Sequence, residues 1–289
     1  MAIEWRLLRR SDVSGAFELS RIAGWNQTEA DWLGYLALDA EGCMAAVVDG
    51  ELAGTVTSIR YGEAFGWLGM LLVHPTHRGH GLGKELLLRS IRYFREKGVR
   101  TVRLDATPMG KRIYLPLGFR DEFEVKRMEG SVAEMLMEQV PAPSGAEAER
   151  MLHGDLMTIA GMDCRAFGGD RGALLHELSN RDPDLCFVVR EGATIKGYLI
   201  GRVGREAIQL GPIVASTPAV AEQLFRACFR AARGRRLFLD LPVPNRSGCE
   251  ILERYGFKEQ RSFSRMSLGE ECPRNETDLV FGTGGAEFG

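Results

Sequence analysis

The chain has 289 residues, of which 45% are hydrophobic and 26% are charged, and this balance excludes a wholly disordered protein. The length favours two domains of ordinary size over one large domain. The formal net charge of −2 gives no electrostatic reason to expect a nucleic acid or an anionic membrane as partner. The apolar runs fall far short of the roughly 20 residues of a membrane helix, and residues 1–10 lack the pattern of a secretory signal, so we expect a cytoplasmic protein.

The cysteines are scattered along the chain, with no CxxC pair and no Cys/His set at the spacing of zinc ligands. We therefore expect no metal centre, and reduced, buried thiols. The six positions are Cys43, Cys164, Cys186, Cys228, Cys249 and Cys272.

The first 130 residues predict an alternation of helices and strands. A helix near Gly81 has Leu87, Ile91 and Phe94 at core-facing spacing, and Gly98 is its stop signal. The predicted elements, in chain order, are a helix from the cap at Ser11 and Asp12 to about residue 23, strands at about 44–49, 53–61 and 66–73, the helix at about 81–98, a strand at 100–106, a short helix that carries Tyr114, and a last strand at about 122–128. This order predicts a mixed α/β fold whose mostly antiparallel sheet is flanked by helices.

Segments of the first half recur later in the same order, which indicates two copies of one fold. Residues 43–57 predict a strand, a tight turn and a second strand, and residues 186–200 have the same pattern with one more residue in the turn. The segments at 114–119 and 252–257 both end in Gly-Phe, and each is followed by a charged segment that ends in Arg-Met.

The boundary between the two copies is expected in a Pro-, Ser-, Gly- and Ala-rich stretch at 140–146. We place the first domain at 1–130, a linker at 131–148 and the second domain at 149–269. The remaining residues, 270–289, are Gly-rich and acidic, and we expect them to be poorly ordered or to lie on the surface.

A buried strand of the first copy leads into a glycine-rich turn that opens directly into a helix. Gly79, Gly81 and Gly83 allow the backbone to approach a ligand closely, because no Cβ intervenes. The first amides of a helix have no intrahelical partner and lie at its positive dipole end, an arrangement that binds phosphate oxygens. Arg78 and Lys84 add positive charge, so the segment predicts a phosphate-binding loop, with a plain strand-to-helix turn as the alternative.

Two other phosphate-binding loops fit the sequence poorly. The P-loop requires Gly-Lys-Ser/Thr, whereas Lys84 is followed by Glu85. A Rossmann fingerprint opens an early βαβ unit, whereas this loop follows antiparallel strands.

Two short patterns connect this domain with a known family. Arg78, Gly81 and Gly83 match Arg/Gln-x-x-Gly-x-Gly/Ala, and residues 114–119 match Tyr-x-x-x-Gly-Phe. In both patterns and their separation the first copy resembles the GCN5-related N-acetyltransferase (GNAT) superfamily, whose first pattern binds acyl-CoA. The resemblance covers the whole first copy and, together with the repeat, implies two tandem GNAT-like domains and acetyl-CoA as acyl donor.

The resemblance also implies roles for the matching residues. The strand before the loop would offer backbone groups to the pantetheine arm, and the amides of the loop would hold the pyrophosphate. The implied cofactor contacts are Leu71, Leu72, Val73, Arg78, Gly79, His80, Gly81, Leu82, Gly83, Lys84 and Thr107, the last at a position where the family usually has Asn. Tyr114 would protonate the departing thiolate, since a phenol of pKa about 10 suits a thiolate whose conjugate acid has a pKa of about 8.5. The alternative for Tyr114 is a helix residue packed on the sheet.

The general base is not assigned by the sequence. Many family members carry a Glu on the strand before the loop, but residues 67–73 contain no acid. The candidates elsewhere are Asp105 and Glu63, then Asp31 and Glu29, with ordinary surface charge as the alternative for each.

The second copy lacks the residues that carry the chemistry. Residues 209–220 have no Arg-x-x-Gly-x-Gly pattern, and Leu252 stands where the first copy has Tyr114. Asn245 occupies the position of the family's Asn. We expect a degenerate domain that shapes the acceptor site or an interface. A further string at 163–171 predicts either acceptor-site residues or a helix-turn-helix joint with surface charges.

These observations favour an acetyl-CoA-dependent N-acetyltransferase that acts on a primary amine of a small molecule by direct attack. Two alternatives stay open at this point: a non-catalytic acyl-CoA-responsive or protein-binding module, and a protein N-terminal or lysine acetyltransferase. The expected acceptor region is about 25–35, where Trp25, Trp32 and Tyr35 either floor an apolar pocket or belong to the core. A homodimer is compatible with the sequence.

Overall fold

The computed structural model describes residues 2–63, 65–270 and 276–289. The strands are β1 (Ile3–Leu7), β2 (Met44–Val48), β3 (Glu51–Tyr61), β4 (Phe65–Val73), β5 (Thr101–Ala106), β6 (Arg120–Gly130), β7 (Ala148–Arg150), β8 (Cys186–Glu191), β9 (Thr194–Val203), β10 (Ile208–Ala215), β11 (Leu237–Pro242), β12 (Lys258–Gly269) and β13 (Val280–Gly282). The helices are α1 (Val13–Ile22), α2 (Glu29–Asp39), α3 (Leu82–Glu96), α4 (Pro108–Tyr114), α5 (Glu134–Gln139), α6 (Leu156–Phe167), α7 (Gly172–Arg181), α8 (Pro218–Ala232) and α9 (Arg246–Arg254).

The predicted elements of the first copy are present, and the sequence analysis missed β1 and α2. Helix α2 begins at a capping box, in which the Thr28 backbone N–H donates to Asp31 Oδ2 (2.7 Å) and Asp31 N–H donates to Thr28 Oγ1 (3.3 Å). This pairing satisfies two amides that a helix start leaves without intrahelical partners. The Thr-x-x-Asp spacing is the signal that predicts this helix.

The strands form one continuous sheet, in which the strand order of the first half appears in reverse order in the second half. Among the described residues the order is β1-β2-β3-β4-β5-β12-β6-β11-β10-β9-β8-β7, with β13 paired to β10. Parallel pairing joins β4 to β5 and β10 to β11, and the other pairs are antiparallel. The prediction of a mixed, mostly antiparallel sheet flanked by helices is confirmed.

The two halves exchange their last strands. Strand β12 of the second half lies beside β5, and β6 of the first half lies beside β11, so each strand completes the sheet of the other half. Arg265 is opposite Asp105 in one pairing, and Arg127 is opposite Asp240 in the other. Both pairs are bidentate and buried, with N–O distances of 2.8 Å in the first and 2.7 Å in the second.

Three apolar clusters fill the molecule. One packs α3 on the first half of the sheet, and a second packs α8 and α9 on the other half. The third lies between the halves and is shared by α1 and α2 with α6 and α7. Arg181 of α7 donates to Asp31 of α2 at 2.5 Å, so an ion pair links the two halves beside this shared cluster.

The segment predicted as a linker is held against the second half. It contains α5, and Arg226 of α8 donates to the carbonyl oxygens of Val140 (2.9 Å) and Met137 (3.2 Å). Gln223 of the same helix donates to Pro143 O at 2.8 Å. The composition of 140–146 predicted a connection but not these contacts.

The prediction that the end of the chain is poorly ordered or lies on the surface is wrong for residues 280–289. Strand β13 pairs with β10, and Phe281 and Phe288 are fully buried. Tyr61 donates to Phe288 O (2.9 Å), and Trp67 Nε1 donates to Ala286 O (3.0 Å). The glycine and acid content suggested a solvated tail, but its few large apolar residues decide the outcome because burying each one is worth roughly 1.5–3 kcal/mol. Residues 271–275 lie outside the described part of the chain.

The cysteines only partly follow the prediction of buried thiols. Cys43, Cys186 and Cys228 are buried, Cys249 is partly buried, and Cys164 is exposed on α6. Burial raises the pKa of Cys186 and Cys228 to about 12, so both remain thiols. Cys272 lies outside the described residues. In the described ranges no helix is long and apolar enough to cross a membrane.

Candidate active site

The site is built where two parallel strands of the first half diverge. Strands β4 and β5 pair only from Phe65 to Trp67 on β4, while the rest of β4 stays paired to β3 on its other side. The backbone of β4 is irregular at Met70, whose φ is +48°, and Thr55 Oγ1 donates to Met70 O at 3.0 Å. Residues 68–73 therefore present a backbone edge that is not paired with β5, next to an opening in the sheet.

The glycine-rich loop follows the end of β4. Gly79 and Gly81 have φ values of +82° and +81°, a region that favours glycine, and a Cβ on either would meet no atom within 4 Å. Glycine is thus required here by the backbone conformation and not by crowding. Arg78 Nε donates to Val73 O (3.2 Å) and ties the loop to the strand. The loop ends at Leu82, the first residue of the 15-residue helix α3.

A cavity of about 1080 Å³ runs from this loop along the diverging strands to α4. Among the predicted cofactor contacts, those that line it are Leu71, Leu72, Val73, Arg78, Gly79, Gly81, Leu82, Gly83, Lys84 and Thr107. His80 is exposed and does not line the cavity. The cofactor assignments themselves stay predictions, but the fold brings all but one of these residues to one cavity.

Tyr114 lines the same cavity at the end of α4. This short helix starts at Pro108 and is capped by Thr107, whose Oγ1 accepts from Gly110 N at 3.1 Å. The Tyr114 ring packs against Phe119, with 5.6 Å between centroids. Its hydroxyl has no hydrogen-bond partner within the described residues, and burial raises the pKa of the phenol. The side chain is thus a protonated group that faces the cavity.

Of the four acids named as candidate bases, Asp31 and Glu29 do not line the cavity, and the first two, Asp105 and Glu63, have different positions. Asp105 lines the cavity, but both its carboxylate oxygens accept from Arg265 at 2.8 Å, and its side chain is fully buried. Burial raises the pKa of Asp105 and outweighs the Arg265 guanidinium, which acts in the opposite direction. Glu63 is exposed in the β3–β4 turn, at the other end of β4 from the loop. A nine-residue strand separates the two ends by roughly 30 Å, so the fold does not bring Glu63 to the cavity.

The cavity residues that the sequence analysis missed include three polar side chains: Gln27, Arg261 and Glu287. Gln27 precedes α2, inside the region expected to bind the acceptor, and its Oε1 is buried without a hydrogen-bond partner within 2–63, 65–270 and 276–289. Arg261 and Glu287 come from β12 and from the end of the chain. No local pattern signals either, because both reach the cavity only through the strand exchange and the path of the last residues.

Of the three aromatic residues in the expected acceptor region, one lines the cavity and two belong to the core. Trp25 lines the cavity, whereas Trp32 and Tyr35 are fully buried in the cluster shared by the two halves. The string at 163–171 forms the joint between α6 and α7. There Asp163 accepts two hydrogen bonds from Arg171 (2.7 and 2.9 Å), and neither residue lines the cavity.

The equivalent opening in the second half is filled by the chain itself. Strands β10 and β11 pair from Ile208 to Leu210 on β10 and then diverge, as β4 and β5 do. Strand β13 pairs with β10 beyond that point, and Thr283 N donates to Asp240 O of β11 at 2.8 Å. Asn245 Nδ2 donates to Val280 O (2.9 Å), so the Asn that the sequence analysis noted holds this segment in place. Leu252, at the position of Tyr114, is fully buried.

Comparison with known proteins gives one acetyltransferase match in each half. The model of the acetyltransferase (GNAT) family matches residues 10–119, and a second model, of an acetyltransferase (GNAT) domain, matches residues 159–282. The chain is similar to holothin acyltransferase of Pseudoalteromonas sp. (strain SANK 73390), with 26% identity over 99% of this chain and 92% of that protein.

Solved structures have the same arrangement over the whole chain. One is a protein of Pyrococcus horikoshii provisionally assigned as an acetyltransferase, with a TM-score of 0.82, 22% identity, and coverage of 99% of this chain and 96% of that one. Another is a tandem GNAT protein from the clavulanic acid biosynthesis pathway, with a TM-score of 0.66, 13% identity, and coverage of 94% and 100%. At these identities the likeness concerns the fold.

Proposed function

The chain belongs to the GNAT superfamily of acyltransferases, with one GNAT domain in each half, and we propose that its first domain transfers an acetyl group from acetyl-CoA to a primary amine of a small molecule by direct attack. The observation that carries the proposal is the single cavity that joins the glycine-rich loop, the unpaired edge of β4 and Tyr114.

The cavity residues fit acetyl-CoA in their chemistry. The amides of residues 79–84 lie at a helix N-terminus beside Arg78 and Lys84, which suits a pyrophosphate. The unpaired edge of β4 at 68–73 offers backbone donors and acceptors to the amide groups of a pantetheine arm. The cavity volume of about 1080 Å³ lies at the upper end of ordinary ligand sites, which leaves room for an acceptor beside the donor.

Tyr114 is the proton donor of the proposed reaction. When bound, acetyl-CoA supplies an activated acyl group. The phenol of Tyr114 stays neutral because burial raises its pKa, so it holds a proton for the sulfur when the carbon–sulfur bond breaks. The ring is fixed by Phe119 and by the capped helix α4, which holds the side chain in the wall of the cavity.

A guanidinium in the cavity wall favours small amines that carry an anionic group as acceptors. Arg261 lines the cavity and has no carboxylate partner within the described residues. Burial and the nearby Arg127 lower the pKa of Arg261, so a bound anion would relieve an unfavourable charge. A relative is named for one acceptor, holothin, which makes that compound a direct test as well.

The experiment is a calorimetric titration with acetyl-CoA, followed by an assay of CoA release. The amines tested are propylamine, β-alanine, 2-aminoethyl phosphate, spermidine, glucosamine, holothin and a lysine-containing peptide. We expect one site per chain and CoA release with at least one small molecule. Turnover with the peptide alone would favour a protein acetyltransferase, and binding without any turnover would favour a non-catalytic module.

A matched pair of variants localises the binding site. Gly83 lines the cavity in the first turn of α3, and Gly161 lies on the exposed surface of α6 with no atom within 4 Å of an added Cβ. Gly83→Leu should weaken acetyl-CoA binding strongly, while Gly161→Leu should leave it unchanged. Equal affinities in the two variants, or two sites per chain, would contradict the placement of the donor in the first domain.

A further inference from the structure

We infer that Glu287, in the last turn of the C-terminal segment, accepts the proton from the acceptor amine. This inference rests on the proposed function. Glu287 would serve as the general base, since β4 of the first domain carries no acid at residues 67–73. The segment concerned comprises residues 283–289, and its path brings a carboxylate from the end of the chain to the cavity of the first half.

The segment crosses β4 where the strands begin to diverge. A Cβ on Gly69 would lie 3.0 Å from the Glu287 carbonyl oxygen and 3.2 Å from its Cα, so the segment passes in tight contact with the strand at this glycine. Trp67 Nε1 donates to Ala286 O just before that point. Trp67 belongs to the cluster shared by the two halves and Leu68 to the cluster under α3, so the segment lies on the face of β4 opposite α3.

The Glu287 carboxylate has one fixed and one open oxygen. Oε1 accepts from Arg202 Nη2 at 2.5 Å, whereas Oε2 accepts no hydrogen bond from any described residue. The residue is only 5% exposed and lines the cavity. A carboxylate that is held at one oxygen and open at the other has the arrangement required of a positioned proton acceptor.

Among the described residues, Arg202 is the donor that bonds the Glu287 carboxylate. The charged and titratable groups that face it are Arg202 on β9, Arg127 on β6, Asp31 and Tyr35 on α2, and Tyr61 on β3. Arg127 is held by Asp240, and Tyr61 donates to a carbonyl oxygen. Burial raises the pKa of Tyr35 and Tyr61, so both stay neutral beside the carboxylate.

A second acceptor of hydrogen bonds lines the same cavity. Gln27 is 6% exposed and its Oε1 has no partner among the described residues, a state that costs roughly 1–3 kcal/mol unless a ligand supplies the donor. An amine N–H is such a donor. Gln27 and Glu287 together offer acceptors to a nitrogen, one to orient it and one to take its proton.

The reaction balances with these groups. The nitrogen lone pair forms the C–N bond with the acyl carbon, and the C–S bond breaks with its electron pair on sulfur. Glu287 takes one proton from the nitrogen, and Tyr114 gives one proton to the sulfur. Exchange with solvent then returns a proton from Glu287 to water and one from water to Tyr114. Asp105 is less suited to this step because Arg265 occupies both its oxygens.

The test compares Glu287→Gln with Arg202→Gln, using whichever amine of the panel the wild type acetylates. Both variants remove the same ion pair, but only Glu287→Gln removes the carboxylate. We expect Glu287→Gln to lower kcat about 100-fold or more, with unchanged acetyl-CoA affinity and no acidic limb in the pH profile of kcat. Arg202→Gln should keep the acidic limb and lose less activity.

The outcomes separate the inference from the proposed function. Equal losses in the two variants, or an acidic limb that persists in Glu287→Gln, would overturn the role of Glu287 while leaving the acetyltransferase in place. No turnover by the wild type with any amine would overturn both. If Glu287→Gln does not fold, Glu287→Asp is the test variant. It keeps a carboxylate to pair with Arg202, but its shorter side chain moves the unbonded oxygen away from the acceptor amine. An unchanged kcat in that variant would overturn the inference.

Discussion

Replacing Asp105 by Asn is expected to destabilise the fold, because its carboxylate holds an exchanged strand. Arg265 reaches Asp105 from β12 through two hydrogen bonds of 2.8 Å, with side-chain exposures of 2% and 0%. Removing one member of such a buried pair leaves the other charge uncompensated, at a cost of about 3–5 kcal/mol. For a chain of this size that corresponds to a fall in Tm of roughly 5–8 °C.

The assay is thermal unfolding followed by circular dichroism, with two matched variants. Asp240→Asn breaks the equivalent pair with Arg127 in the other half and should cost a similar amount. Glu259→Gln breaks the exposed pair with Lys126, a class worth about 0–1 kcal/mol, and should change Tm little. If the free energy of unfolding of Asp105→Asn is within about 1 kcal/mol of the wild-type value, the ion pair does not stabilise the exchanged strand. A stable variant that has lost turnover would instead favour Asp105 as the base.

Four further predictions concern the site and its supports. Tyr114→Phe should lower kcat about 100-fold or more with little change in acetyl-CoA affinity; wild-type turnover would remove Tyr114 from the reaction. Burial raises the pKa of Tyr114 above its value in the unfolded chain, so the folded state keeps the phenol proton more tightly. The stability that this provides is present below pH ~10 and is lost as the pH rises beyond that. The urea midpoint of unfolding should therefore fall in alkali, and it should fall less steeply in Tyr114→Phe. Arg261→Gln should raise KM for β-alanine but not for propylamine, and equal effects would contradict anion recognition. Asn245→Ala removes the 2.9 Å hydrogen bond to Val280 O and should lower the free energy of opening of β13 by about 1–3 kcal/mol. Amide hydrogen exchange in β13 should then be faster, and unchanged exchange would show that Asn245 does not hold this strand.

Local patterns predict most of the first copy. The glycine-rich loop, the strand before it and the amphipathic helix α3 are encoded by residues that are neighbours in sequence, so periodicity and stop signals identify them. The order of the repeated segments predicts two copies of one fold in the same way. Helix α2 also has a local signal, because Thr28 and Asp31 form a capping box at its start.

The completed site could not be predicted in this way, because its residues come from positions far apart in the sequence. Arg265 neutralises Asp105 across 160 positions of sequence, which turns a candidate base into a structural pair. Strand β13 fills the second opening and the residues after it carry Glu287 to the first, although the composition of this part of the chain predicted a solvated tail.

The sequence by itself determined the local elements, the two copies and the loop suited to phosphate, since these depend on backbone conformation and on side-chain spacing over a few residues. Only the tertiary structure decided which strand completes each half, which opening stays empty of protein and which acids line the cavity. Those outcomes depend on which charges and apolar groups are buried against each other, and burial joins residues that no local pattern relates.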